Sequence, residues 1–137
     1  MKYYIGIDLG GTNIVAGVVD ENFSLIATAS NKTNAGRPAD QIVETMAQTA
    51  AQAAEKAGIS MEQIESVGIG SPGIVDSQKR EVIFASNLDF YNAPIGQLLE
   101  DRLHRPVFLA NDADAAAYGE FMAGAGKQKT VSASPTW

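Results

Sequence analysis

The first thirty residues contain three short runs rich in β-branched and aromatic residues, and a helical pattern follows them. The runs "YYIGID" and "IVAGVVD" are joined through "LGGTN", and a polar turn leads into the third run, "FSLIATAS". Short apolar runs separated by tight turns predict a meander of three strands. From Asp40 to Ala57 the chain is Ala-rich with apolar residues at helical spacing, and Gly58 is a stop signal. A meander followed by a helix restricts the fold to sheets with helices packed against them.

The rest of the chain continues this alternation of strands and helices. The sequence predicts a strand in "SVGIGSPG", a strand–turn–strand excursion in "IVDSQKREVIF" and a helix that opens at Pro94. A strand in "PVFLA" and a helix in "NDADAAAYGEFMAGAG" follow, with Asn111 or Asp112 at the helix cap. The predicted order, βββαβ(ββ)αβα, describes an α/β fold with a mixed sheet.

Charge and composition limit the classes of partner. The 137 residues include 10 Lys and Arg against 16 Asp and Glu, so the net charge is −6. This balance disfavours nucleic acid and anionic membrane surfaces, which need clustered positive charge. There is no cysteine, which excludes a disulfide framework and a thiolate metal site. Charged residues interrupt every apolar run before membrane-spanning length, so we predict a soluble cytoplasmic protein.

The turn after the first strand has the composition of a phosphate-binding loop. Gly10 and Gly11 let an anion approach the backbone amides, and Thr12 adds a hydroxyl donor. Asp8, at the strand end, can favour a phosphate only through a cation, and Mg²⁺ is the natural intermediary. The alternative is a tight hairpin turn that needs glycine but no ligand.

A second candidate site lies in "LANDADAAAYGE". Asn111 and Asp112 stand where a predicted strand meets a predicted helix, a place where ligands often bind in α/β sheets. A carboxylate there can accept a proton from a substrate hydroxyl as that oxygen attacks phosphorus. The alternative is helix capping, which explains Asp or Asn at this position without catalysis.

Four motifs together resemble one family. "GIDLGGTN", "GIGSPGIVD", "SNLDF" and "ANDADAAAYGE", in this order, resemble the N-terminal lobe of bacterial ROK-family sugar kinases over residues 2 to about 127. ROK stands for repressor, open reading frame, kinase, and the resemblance is strongest to the glucokinases. It implies an actin-like ATPase (ribonuclease H-like) lobe, from an enzyme that uses ATP to phosphorylate a hexose, most closely glucose, at its 6-hydroxyl in carbohydrate metabolism.

The resemblance also implies roles for individual residues. Those for the nucleotide phosphate and Mg²⁺ are Asp8, Gly10, Gly11 and Thr12. Those for the sugar are Pro72, Gly73, Asn87, Asn111 and Asp112. Within this second set, Asn111 would hydrogen-bond sugar hydroxyls, and Asp112 would be the general base that deprotonates the 6-hydroxyl.

The family's second lobe has no counterpart in this sequence. In the family that lobe supplies the second phosphate loop, the adenine contacts and usually a structural zinc site. We therefore expect one lobe over residues 1–126, no zinc site in this chain, and zinc only in the missing lobe. The cofactors implied for the parent protein are ATP and Mg²⁺, its partner is a hexose, and it is expected to be a homo-oligomer. The chain as given is expected to lack activity, because it cannot enclose ATP.

The segment 127–137, "KQKTVSASPTW", departs from the family pattern. It lacks periodicity and a clear apolar face. If both serines use TCN codons, another reading frame of the same DNA can encode "AKDSFRITYLG", which resembles the family's continuation into its phosphate-binding strand. Our hypothesis is that this tail is an out-of-frame ending of a longer kinase.

Two other classes of function stay open. One is a sugar-sensing transcriptional regulator of the same family, in which a DNA-binding helix-turn-helix precedes the lobe; the early first strand and the acidic charge disfavour it. The other is a non-catalytic sugar-binding module that uses the lobe alone.

Overall fold

A computed structural model describes residues 1–112 of the chain. Its strands are β1 (Tyr3–Leu9), β2 (Asn13–Asp20), β3 (Leu25–Lys32), β4 (Ile64–Ser71), β5 (Ile74–Asp76), β6 (Glu81–Ala85), β7 (Phe90–Ala93) and β8 (Val107–Asn111). Its helices are α1 (Ala39–Ala57) and α2 (Ile95–Leu103), with single 3₁₀ turns at Met61–Gln63 and Ser86–Leu88. Neither α1 nor α2 is long and apolar enough to cross a membrane.

The main sheet has five strands in the order β3-β2-β1-β4-β8. The first three strands form the antiparallel meander predicted from the sequence, whereas β1, β4 and β8 run parallel. The predicted mixed sheet is therefore confirmed. Because β1, β4 and β8 are parallel, their carboxyl ends meet at one edge, which is where ligands bind in open α/β sheets.

Helix α1 covers one face of this sheet. Its buried side chains are Ile42, Val43, Met46, Thr49, Ala50, Ala53 and Ala54. The facing strands bury alternate residues, among them Ile5, Ile7 and Leu9 of β1, as period-two patterning requires. Alanine at three of the helix positions allows close approach to the sheet. The helix ends at Gly58, whose φ of 77° closes it in the left-handed conformation.

A smaller antiparallel sheet, in the order β5-β6-β7, follows β4. The predicted excursion accounts for β5 and β6, but the sequence did not predict β7. This strand is only four residues long, and Asp89 before it and Asn92 within it both have positive φ, at 58° and 51°. Such a segment carries no alternation long enough to identify a strand.

Arg80 fixes the small sheet to α2 and β8. Its guanidinium donates to the carbonyl of Val107 at 3.0 Å and to Gln97 Oε1 at 2.8 Å, and it pairs with Glu100. The hydrogen bond from Arg80 holds the pKa of Glu100 below its usual value. The polar turn that contains Arg80 would be expected from sequence to be solvated, yet this arginine is only half-exposed and tethers three elements.

The predicted final helix lies almost wholly outside the described residues, as does segment 127–137. Asn111 is the last residue of β8, and the helix that it or Asp112 was predicted to cap lies outside the described residues, so the cap stays a prediction. The backbone of Asn111 continues the parallel ladder, where it pairs with Ser71 of β4.

Candidate active site

The turn between β1 and β2 needs glycine for steric reasons. The N–H of Gly10 donates to the carbonyl of Asn13 at 3.0 Å, which closes the turn. A Cβ on Gly10 would lie 2.9 Å from that same oxygen, so any other residue would force the turn open. Thr12 is exposed beside it. The loop therefore presents bare backbone and one hydroxyl at the ligand-binding edge of the sheet.

Thr33 is a site residue that the sequence analysis missed. It is completely buried just after β3, and its hydroxyl donates to the carbonyl of Gly10 at 2.7 Å. Its backbone N–H donates to the carbonyl of Thr12 at 2.8 Å. Nothing in "NKTN" marks this threonine as special; only the pairing of β3 with β2 brings it to the loop.

Asn87 and Gly11 are in close proximity. A Cβ on Gly11 would lie 3.0 Å from Asn87 Nδ2, so the asparagine side chain rests against the bare face of the glycine. Asn87 is exposed in the turn Ser86–Leu88, which follows β6. A residue predicted to bind sugar and a residue predicted to bind phosphate are thus direct neighbours.

Gly73 joins the small sheet to the end of β8. Its φ is 89°, and a Cβ there would lie 2.1 Å from the carbonyl oxygen of Phe84. Its own carbonyl accepts a hydrogen bond from Asn111 Nδ2 at 3.1 Å. Pro72 precedes it and is half-exposed. The turn after β4 and the end of β8 are therefore held together by a side chain that was predicted to contact the sugar.

Asp8 and Asp112 interact across the sheet edge. Asp8 of β1 pairs with Gly70 of β4, and Gly70 pairs with Ala110 of β8, two residues before Asp112. Asp112 therefore follows the end of a strand that is separated from β1 only by β4. Partial desolvation and the negative charge of Asp112 both raise the pKa of Asp8. The site therefore concentrates negative charge beside the glycine turn.

This arrangement fits a divalent cation. Carboxylate oxygens are the ligands that Mg²⁺ prefers, and a cation would relieve the repulsion that raises the pKa of Asp8. Within residues 1–112, no three His, Cys, Asp or Glu side chains cluster as metal ligands. Magnesium here would thus take most of its remaining ligands from phosphate and water, its common mode of binding in phosphoryl-transfer sites.

The predicted site residues lie along one continuous path at this edge. The path runs from Asp8 through the glycine turn to Asn87, and from there through Ala85 and Gly73 to Asn111 and Asp112. The interaction between Asp112 and Asp8 closes the path into a ring. The individual roles of these residues remain predictions.

The sequence matches the ROK family over residues 4–133. The chain belongs to the ROK family. It is 42% identical over 127 residues to a glucokinase of Streptomyces coelicolor, a match that covers 93% of this chain and 38% of that protein. A xylose repressor of Caldicellulosiruptor bescii is 29% identical over 123 residues, covering 85% of the chain and 29% of the repressor. The ROK family thus includes both enzymes and regulators among these relatives.

A solved ROK structure supports the fold. The glucokinase of Streptomyces griseus, crystallised with glucose and AMPPNP, superposes with a TM-score of 0.78 at 41% identity, covering 91% of this chain and 38% of the other. The fold is therefore that of the ROK sugar kinases, an actin-like ATPase fold. The chain spans about 38% of the length of these glucokinases.

Proposed function

We propose that this chain provides the catalytic edge of an ATP-dependent hexose kinase. The observation that carries the proposal is the ring of contacts described above. In this ring the glycine turn lies against Asn87, Asn111 is bonded to Gly73, and the charge of Asp112 acts on Asp8, which supports a phosphate site and a sugar site side by side. Phosphoryl transfer from a nucleotide to a sugar needs these two sites side by side.

Asp112 is proposed as the general base. It is exposed at the end of β8, directly after Asn111, whose amide is held by the carbonyl of Gly73. A sugar hydroxyl bound by Asn111 would lie within reach of the neighbouring carboxylate, which can take its proton as the oxygen attacks the γ-phosphorus. Base catalysis of this kind contributes roughly 10²–10⁴-fold in rate.

Asp8 and the turn Gly10–Thr12 are proposed to hold the nucleotide. The half-exposed backbone of Gly11 and the exposed hydroxyl of Thr12 are the proposed donors to phosphate oxygens. Mg²⁺, when bound, would neutralise phosphate charge and make Asp8 an attractive neighbour for the nucleotide. Desolvation and the charge of Asp112 raise the pKa of Asp8 in the free chain, and a cation bound there would offset the second of these causes.

Glucose and its 6-hydroxyl are the proposed substrate and position. The support is the similarity to glucokinases, including the Streptomyces griseus enzyme that was crystallised with glucose. A cytoplasmic, homo-oligomeric whole protein is part of the same proposal. We expect little turnover from the 137-residue chain by itself, because it spans about 38% of the length of those enzymes.

Calorimetric titration of the 137-residue chain tests the proposal. Glucose should bind, and Asn111→Ala should weaken that binding, whereas Asn22→Ala on the distant β2–β3 turn should not. Mg·ATP should bind, and Asp8→Asn should weaken it. A chain that binds neither ligand while remaining folded by circular dichroism would contradict the proposal. Glucose-dependent ATP turnover that Asp112→Asn abolishes would instead contradict the expected inactivity of the chain alone.

Sugar binding without chemistry is a second candidate, favoured by the similarity to the xylose repressor. A sensor would bind glucose or xylose but would not need the nucleotide. The same titrations separate the two functions. Sugar binding that is unchanged by Asp8→Asn, together with no binding of Mg·ATP, would support the sensor.

A further inference from the structure

Two carbonyl groups of the glycine turn are directed toward the protein interior by one residue, through its side chain and its backbone. Thr33, fully buried, takes both of the turn's inward carbonyls: its hydroxyl donates to Gly10 and its N–H donates to Thr12, at 2.7 and 2.8 Å. These contacts join residues that are more than twenty positions apart. The turn is therefore anchored from beneath by the end of β3.

Anchoring the Gly10 carbonyl also orients the next amide. In a trans peptide the C=O and the following N–H point in opposite directions. Because the Gly10 carbonyl points to buried Thr33, the N–H of Gly11 points away from it, toward the side where a ligand can approach. Without the Thr33 hydroxyl, the peptide between Gly10 and Gly11 would lose the restraint on its own carbonyl, and glycine imposes little restriction of its own.

Arg37 connects this anchor to α1. One guanidinium nitrogen donates to the carbonyl of Thr33 at 2.6 Å and to the hydroxyl of Thr45 at 3.0 Å. Another nitrogen donates to the carbonyl of Asn34 at 3.2 Å. Arg37 therefore holds the segment after β3 against the first turns of α1, and it supports Thr33 in the position that strand pairing gives it.

We propose that Thr33 and Arg37 are positioning residues for the phosphate-binding turn. Thr33 directs the Gly11 amide outward, and Arg37 ties that arrangement to α1. The inference rests on the proposed function, because it assigns the outward amide to nucleotide phosphate. It adds two residues that neither the four sequence motifs nor the ring of contacts contains.

Two substitutions at Thr33 test the inference against a matched control. Thr33→Val keeps the shape and the backbone N–H but removes the hydroxyl, whereas Thr33→Ser retains the hydroxyl. Thr49→Val is the control, because Thr49 is equally buried and also hydrogen-bonded, yet it contacts Asn31 and the α1 backbone and makes no hydrogen bond to the turn.

The first readout is amide hydrogen exchange in the free chain, measured by NMR. The Gly10 amide, bonded to Asn13, reports on the turn, and the Val67 amide, bonded to Pro106, reports on a distant part of the sheet. When amides exchange through local opening of the fold, Thr33→Val should speed exchange of the Gly10 amide about fivefold, because one hydrogen bond is lost. Val67 exchange should stay unchanged, and Thr33→Ser should restore most of the protection.

The second readout is the affinity for Mg·ATP by calorimetry. Thr33→Val should weaken binding about fivefold or more, while Thr33→Ser and Thr49→Val should bind like the wild type. Arg37→Lys, which keeps the charge but loses the planar fork, should show a smaller weakening of the same kind.

The two readouts separate the inference from the function on which it rests. The positioning role would be overturned if Gly10 exchange is unchanged in Thr33→Val, or if it changes equally in Thr49→Val. This outcome does not depend on whether Mg·ATP binds. A wild-type chain that binds no Mg·ATP would overturn the proposed function and the assignment of the Gly11 amide to phosphate. The faster Gly10 exchange would then identify Thr33 as an anchor of the turn alone.

Discussion

In the free protein, the position of Asp8 lowers the stability of the fold. It lies between the core residues Ile7 and Leu9 of β1, its carboxylate is partly desolvated and feels the charge of Asp112, and both effects raise its pKa. A sequence selected only for stability would have no reason to keep an acid there, since the charged form is disfavoured. Perturbed pKa values of this kind cluster at functional sites.

The pH dependence of stability should reveal this cost. A group whose pKa is raised on folding contributes stability below its unfolded pKa and loses that contribution as pH rises through the raised value. Relative to wild type, Asp8→Asn should therefore gain in melting temperature as pH rises from below 3.8 to neutrality. Thermal unfolding across this range, with Glu65→Gln as control, measures the effect. A difference in melting temperature between Asp8→Asn and wild type that is the same at every pH would show that the charge of Asp8 does not cause this difference.

Substitutions at Gly73 and Gly36 separate the energetic cost of backbone strain from that of steric overlap. Gly73→Ala would combine a φ of 89° with a Cβ 2.1 Å from the Phe84 oxygen. Gly36 has a similar φ of 99° but open space around its Cβ, so Gly36→Ala carries the strain alone. We expect Gly36→Ala to cost about 1–3 kcal/mol, from strain only. Gly73→Ala should cost more and should also weaken glucose binding.

Urea denaturation of both glycine variants, with glucose titration of each, measures these effects. Equal destabilisation of the two proteins would mean that β6 moves aside at no cost. Such a result would contradict the tight packing that holds Gly73 against the end of β6.

At the scale of elements, Arg80 determines how the small sheet is attached. The hydrogen bonds of its guanidinium reach α2 and the start of β8, so three elements share one side chain. Gly96 of α2 lies so close that a Cβ there would be 2.4 Å from Arg80 Cβ. The backbones of α2 and of the turn are thus in close contact. This attachment holds the small sheet, and the turns at its ends carry Asn87 and Gly73.

Because Arg80 pairs with Glu100, the free energy of unfolding should depend on pH in the acidic range. The lowered pKa of Glu100 means that its contribution is present above the usual value of 4.5 and is lost as pH falls through the lowered pKa. Glu100→Gln should be less stable than wild type at pH 7, and the difference should shrink in acid. Urea unfolding at several pH values measures it.

Glu44→Gln provides the control for this experiment. Glu44 pairs with Arg102 at 2.9 Å between α1 and α2, but its side chain is 56% exposed. Exposed pairs of this kind contribute roughly 0–1 kcal/mol. A Glu44→Gln effect larger than that of Glu100→Gln would contradict the importance assigned to Arg80.

At the scale of the whole molecule, the small sheet presents an apolar row to solvent. Ile74 pairs with Phe84 across β5 and β6, and Phe84 pairs with Tyr91 across β6 and β7. The three side chains are 61%, 40% and 61% exposed, and the two rings lie 5.5 Å apart. Contiguous exposed apolar surface of this kind commonly marks an interface.

This row should drive self-association of the chain at high concentration. Phe84→Ser should raise the concentration needed for association about tenfold, the effect of exposing rather than burying one large apolar side chain. Leu25→Ser is the control, because Leu25 is 59% exposed at the far edge of the main sheet. Sedimentation velocity over a concentration series measures both variants. Equal effects of the two would show that exposure in general, and not this row, promotes association.

Much of the fold was predictable from the sequence because its signals are local. The three strands of the meander, the Ala-rich helix ending at Gly58 and the strand "PVFLA" each depend on periodicity or on residues adjacent in the chain. The glycine turn and the Asn–Asp pair were found in the same way, from residue types whose chemistry is evident at the ends of strands. Strand β7 was missed because it has only four residues, one of them with positive φ, and so carries no periodic signal.

The sequence by itself determined most of the elements, the mixed-sheet class and the candidate residues at the edge of the site, but neither β7 nor Thr33. Only the tertiary structure decided which of those residues touch. Asn87 against Gly11, Asn111 bonded to Gly73, the charge of Asp112 acting on Asp8, and Thr33 beneath the turn all join positions far apart in the chain. The physical reason is that such contacts depend on strand order and register, which arise from packing the whole core and leave no local pattern in the residues themselves.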